Sequence, residues 1–221
     1  MAQVFHPATN TLSKVTIFGG VFFLGAVAWA VSEIDRAPWI TEVDVAREQP
    51  VPFSHKHHVQ GLGIDCRFCH TGVEDSSFAG IPPTKTCMGC HSQVWKDAPV
   101  LEPVRESWRS DKSIEWTRVH DLPDFVFFDH SIHVKKGVGC ESCHGRVDEM
   151  PLTWREHSLN MEWCLECHRD PAAFLRPKEK VFAMGWDPGK AEPPADQREI
   201  GEELMKENGV KSLTNCATCH R

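Results

Sequence analysis

All ten cysteines of this sequence fall in Cys-x-x-Cys-His pentapeptides: Cys66-Arg-Phe-Cys69-His70, Cys87-Met-Gly-Cys90-His91, Cys140-Glu-Ser-Cys143-His144, Cys164-Leu-Glu-Cys167-His168 and Cys216-Ala-Thr-Cys219-His220. Two thiols at this spacing reach the two vinyl carbons along one edge of a porphyrin, and the histidine that follows falls under the iron. The pattern predicts five covalently bound haem c groups, with His70, His91, His144, His168 and His220 as proximal iron ligands. A zinc ribbon needs only the cysteine pairs, and a redox-active dithiol needs a strand–helix–strand context that is lacking. Neither explains a histidine at the same offset five times.

Each iron needs a sixth ligand if it is to carry electrons without binding a substrate, and the spacing of the remaining histidines supplies four. The first cysteines of successive motifs are 21, 53, 24 and 52 residues apart, an alternation that marks a duplicated unit. Phe53-Ser-His55-Lys-His-His58 precedes the first motif and Phe128-Asp-His130-Ser-Ile-His133 precedes the third, in the same register. Histidines three apart share one face of a helical turn, so each pair can serve two irons. His55, His58, His130 and His133 are therefore the expected distal ligands. His57 is expected to face solvent.

Little core is available to hold these groups. About 185 residues follow the N-terminal apolar segment, roughly 37 to each haem, too few for separate apolar cores. The expected fold is mainly α with extensive coil, the porphyrins themselves filling most of the interior. Fifteen prolines and fifteen glycines and the lack of alternating strand patterns agree with this. A net charge of −7, made more negative by haem propionates, argues against nucleic acid as a partner.

The anchoring element is Val15 to Ser32, eighteen uncharged residues that as a helix span about 27 Å, close to the hydrocarbon thickness of a bilayer. Ala28-Trp29-Ala30 offers a small-x-small cleavage pattern, but the run is longer than a signal core and only Lys14 precedes it, so an uncleaved single-pass helix is expected. Lys14 lies before the helix, whereas Glu33, Asp35, Glu42, Asp44 and Glu48 outweigh Arg36 and Arg47 after it. The basic side faces the cytoplasm, and thioether attachment takes place on exported chains, so the body is expected on the periplasmic face of the inner membrane. The expected division is a cytoplasmic N-terminus (1–14), the transmembrane helix (15–32), a linker (33–48), a dihaem unit (49–95), a connector (96–123) and a trihaem unit (124–221). Asp196 and Glu199 form a capping box for a helix running to Asn208 and stopped at Gly209.

The two Phe-x-His-x-x-His units resemble the triheme cytochrome c7 family over most of residues 50 to 221. The resemblance implies pairing of His55 with His70, His58 with His91, His130 with His144 and His133 with His168. It also implies a ligand just upstream of the second motif of a unit, a slot that holds Met161 in the second unit and Thr84 in the first. Met161 would then stand opposite His220. Met88, Met150, Met184, His120 and His157 are other unassigned candidates for that place; His120 is the main rival, and it can equally bind a haem propionate.

Anchor, paired units and the segments Arg118-Val-His-Asp-Leu-Pro-Asp-Phe-Val and Val138-Gly-Cys-Glu-Ser-Cys-His-Gly-Arg-Val-Asp-Glu-Met-Pro-Leu together resemble the pentahaem cytochrome subunits of alternative complex III. That resemblance implies a non-catalytic electron-transfer subunit of a quinol-oxidising respiratory complex delivering to a cytochrome or terminal oxidase. Its partners would be polytopic quinol-site subunits, an iron-sulfur protein and a monohaem cytochrome. Pentahaem nitrite reductases share the haem count but use a lysine at one proximal site and lack this anchor. The alternative is a stand-alone quinol-oxidising membrane cytochrome donating to a periplasmic reductase, a group without the paired histidine repeat.

Overall fold

A computed structural model of the chain describes residues 5–191 and 193–220; the first four residues of the 1–14 segment, Glu192 and Arg221 lie outside them. The chain folds as two compact units, Met1–Glu42 and Val43–Arg221, so that both histidine repeats belong to the second. The fold is mainly helical. Among the described residues there is no β-strand, only single bridges joining Val43 to Arg155 and Val138 to Leu175.

The N-terminal unit is built on α1 (Ala8–Asp35), which runs past both ends of the uncharged stretch to 28 residues, or about 42 Å. The flanking Thr, Asn and Ser residues continue its hydrogen-bond ladder without interrupting the apolar middle. None of its side chains is buried, and Phe22 and Phe23 are 76% and 68% exposed. An apolar surface of this length is unfavourable in water and suits lipid. A short α2 (Pro38–Thr41) follows, opened by Pro38 at its first position and ended by Glu42 in the left-handed region.

The cytochrome body is coil punctuated by short helices, and each attachment motif supplies one of them. These are α3 (Cys66–Cys69), α4 (Thr84–His91), α7 (Glu141–His144), α8 (Met161–Arg169) and α10 (Cys216–Cys219). Between them lie α5 (Glu102–Ser110), α6 (His130–Lys135) and α9 (Gln197–Glu207). One turn of helix is what the motif requires, because residues three apart then present both thiols on one face. Asp65 and Asn215 stabilise two of these turns as N-caps, accepting from the Arg67 and Ala217 amides.

The apolar core is small. Nine hydrophobic residues are buried among those described, and the largest fully buried side chains are Met150, Leu175 and Val181. So few cannot hold together a body of this size, which leaves bound porphyrin as the remaining apolar interior. One cluster joins Val51, Leu101 and Val104 with Met88 and Trp116 packed against it. It seats α4 against α5, and a 2.6 Å hydrogen bond between the Thr84 and Ser107 hydroxyls fixes the pair. Helix α9 begins at Asp196, whose carboxylate accepts from the Arg198 and Glu199 amides, and stops before Gly209 at φ +62°. It packs on Pro171–Ala173 through Gly201, where any Cβ would collide with the Ala172 carbonyl.

Candidate haem-binding sites

The Phe-x-His-x-x-His segments are folded so that the phenylalanine aims both imidazoles. The Phe53 ring stacks on His58 at 4.4 Å and 21° and stands edge-on to His55 at 4.9 Å and 84°. Phe128 repeats this with His133 at 4.6 Å and 24° and His130 at 4.7 Å and 88°. The second histidine of each pair donates from Nδ1 to the carbonyl four residues earlier, His58 to Ser54 and His133 to Asp129, at 2.8 and 2.7 Å. In the second repeat the histidines ride on α6, capped by the Asp129 carboxylate. In the first they open a π-turn at Lys56–Gly61. A π-turn is the local signature of one inserted residue. His58 lies eight residues before Cys66 and His133 seven before Cys140, so the wider turn absorbs the extra residue and keeps the two pairs equivalent.

Each of these four imidazoles faces the histidine of an attachment motif. Ring centroids are 6.4 Å apart for His55 and His70, 6.3 Å for His58 and His91, 6.3 Å for His130 and His144, and 6.2 Å for His133 and His168. Two imidazoles on opposite sides of one metal ion, with bonds of about 2 Å and ring nitrogens about 1.1 Å from their centroids, require roughly 6 Å. The gap therefore fits an iron between each pair. The interplanar angles alternate along the sequence: 14° and 12° in the first and third pairs, 66° and 53° in the second and fourth.

The other nitrogen of eight of the nine rings read as ligands is occupied in a way that leaves Nε2 free for a metal. Nδ1 donates to the carbonyl of Gly80 from His70, of Val94 from His91, of Ser77 from His130, of Leu213 from His168 and of Phe125 from His220, at 2.7 to 3.1 Å. His55 Nδ1 lies 2.9 Å from the Thr153 hydroxyl. Such partners fix the tautomer and orientation of a ligating imidazole. His144 differs, for its ring has no hydrogen-bond partner among the described residues and instead meets the edge of the His120 ring at 4.3 Å. Burial favours the neutral form, the one that binds a metal, at four of the imidazoles: His55 and His120 are pushed down to about 4, His133 is lowered, and His144 lies well below the ordinary range.

Comparison with known proteins agrees with this geometry. Residues 126–221 match the cytochrome c7 and related cytochrome c family. Over 174 residues the chain is 39% identical to the menaquinone reductase multiheme cytochrome c subunit of Nitratidesulfovibrio vulgaris, covering 75% of this chain and 72% of that one. The chain is a c7-like multihaem cytochrome c. Covalently bound haem c follows from that membership, and the paired imidazoles of the cytochrome stand where axial ligands are needed.

The fifth site is built differently. His220 closes α10, and its ring lies beside Phe125 at 5.8 Å. Met161, at the first position of α8, has a side chain 65% exposed, whereas the nine histidines read as ligands are all half-buried. It stands one turn before Cys164 on α8, the helix whose His168 carbonyl accepts from the Leu213 amide in the segment leading into the fifth motif. His120, by contrast, lies against His144 of the third site, where two imidazoles already face one another; its Nε2 is buried without a hydrogen-bond partner. Met150 is in the core at 1% exposure, Met88 packs beside Val51, His157 stacks on Trp163, and His57 stacks on Trp95. Sequence reasoning included Phe53 and Phe128 in the repeat without finding their role, and missed Thr153 and Ser77 as orienting partners. Their hydrogen bonds span 98 and 53 residues, with no local signal to announce them.

Proposed function

We propose that this chain carries five haem groups and acts as the membrane-anchored electron-relay subunit of a quinol-oxidising complex of the alternative complex III type. The observation that carries the proposal is the set of four facing imidazole pairs, which would take both sides of each iron and leave no place on it for a substrate. Bound haem supplies a one-electron change between ferric and ferrous iron. The chain's own residues would do the rest: the ten motif cysteines would fix each porphyrin edge, and the proximal histidines with His55, His58, His130, His133 and Met161 would hold the metals. Phe53 and Phe128 hold the rings in register. With both sides of each metal taken by a side chain, the chain would exchange electrons without chemistry on a quinol. Quinol binding belongs to other subunits, an iron-sulfur protein and polytopic membrane proteins among them, with a cytochrome or oxidase as acceptor. Helix α1 crosses the inner membrane and the body lies on the periplasmic face.

A second reading is favoured by the name of the Nitratidesulfovibrio relative. In a menaquinone reductase the same relay runs toward the quinone. Mass spectrometry of the complex released gently from membranes identifies the partners, and optical spectra of that complex separate the directions. Haem reduction on adding menaquinol supports the first reading. Oxidation of prereduced haem by menaquinone, with no reduction by menaquinol, supports the second.

A further inference from the structure

The attachment sites do not adjoin one another in the order of the sequence. The first and second sites share one short segment, since His55 and His58 lie in a single turn and face His70 and His91. The third and fourth share α6, through His130 and His133 facing His144 and His168. The two repeats meet at the first and third sites. There the side chains of Cys66 and Cys140 lie next to each other. His130 Nδ1 donates to the Ser77 carbonyl in the loop after the first motif. The His130 and Ser131 amides donate to the carbonyls of Ser77 and Ser76. Arg67 lies 4.5 Å over the Phe182 ring, next to Val181, whose carbonyl accepts from the Cys140 amide. Finally, the fourth site is tied to the segment leading into the fifth: the Leu213 amide and Ser212 hydroxyl donate to the His168 carbonyl, and His168 Nδ1 donates to the Leu213 carbonyl.

We infer that the five attachment sites form one unbranched series in the order second, first, third, fourth, fifth, with the motifs at Cys87–His91 and Cys216–His220 at its two ends. This rests on the reading of the chain as a haem-bearing relay and adds to it which sites can exchange electrons with other proteins. An end site has one neighbour inside the chain and is where a one-electron donor or acceptor must dock. The first and third sites, each enclosed by two neighbours, form the junction through which the repeats communicate.

The order can be counted in the full-length holoprotein by spectroelectrochemical titration. An iron whose potential is raised by a changed distal ligand is already reduced while its neighbours titrate, so each neighbour loses an adjacent positive charge and its step moves down. In H58M, which alters the second site, the inferred order expects one other step to move; in H55M, which alters the first, it expects two. A series that followed the sequence would give the reverse, two steps in H58M and one in H55M, and would overturn the inference. Equal counts in the two variants would overturn it as well. Haem content by the pyridine haemochrome assay shows whether each variant retains its cofactors. Should a variant lose haem, the milder H58Q and H55Q are titrated for the same counts. A wild-type protein with no reducible haem steps would defeat the relay reading itself, an outcome distinct from five steps in the wrong order.

Discussion

A thioether opposite His220 would separate the fifth iron from the four flanked by imidazoles, because methionine in place of histidine raises the reduction potential. In Met161→His the highest step of a redox titration is expected to fall while the others stay nearly fixed; an unmoved highest step would assign the ligand to another residue. His120 gives the converse test. Since its ring meets His144 and not His220, His120→Phe should leave the highest-potential step and the low-spin spectrum of the fifth haem unchanged. A new high-spin signal from that haem would instead make His120 its ligand. The proposed proximal histidines are read from their offset from two cysteines, which covalent haem attachment fixes, and the proposed distal ones from their repeated spacing. Nothing comparable marks Met161, a single residue whose role came from its slot in a resemblance.

Short helices carry the ligands, so their packing decides how firmly each ligand is held. Gly201 is a close approach of α9 to the chain after the fourth motif, and a methyl group there meets the Ala172 carbonyl. Gly201→Ala is expected to destabilise the holoprotein by about 1–3 kcal/mol through overpacking, read as a lower thermal midpoint with haem content retained. No change in the midpoint would mean that α9 can shift without cost. The capped start of α9 and its stop before Gly209 were readable from Asp196, Glu199 and the glycine, since capping is a local matter. The π-turn at Lys56–Gly61 was not. It reflects a one-residue difference between two repeats, visible only once both are known to place their imidazoles alike. Helix α1 extends beyond the predicted 15–32 for a related reason: hydropathy bounds the lipid-compatible stretch, whereas the hydrogen-bond ladder ends only at Arg36.

The whole molecule holds two kinds of imidazole pair, and this should appear in its spectrum. Near-parallel imidazole planes give rhombic low-spin ferric signals, and crossed planes give the strongly anisotropic kind. Electron paramagnetic resonance of the oxidised protein is expected to show two haems of each kind besides the fifth, and four alike would contradict the alternation of 14° and 12° with 66° and 53°. The motif spacing marks two repeats in the sequence, but not that they interlock, because the linking groups are ordinary serines and threonines far away in sequence. His55 in the first unit is oriented by Thr153 in the second, and His130 in the second by Ser77 in the first. This exchange bears on how the protein is made. A chain exported from its N-terminus presents Cys66 and Cys69 for haem attachment well before Thr153 has crossed the membrane. Covalent loading of the first site can thus precede its correct ligation by more than eighty residues of translocation. A chain stopped after residue 123 is expected to carry two covalent haems, with the first showing mixed or high-spin ligation and the second, whose His58 is held locally by Ser54, already low-spin. Maturation would finish as a closing of one half of the sequence upon the other.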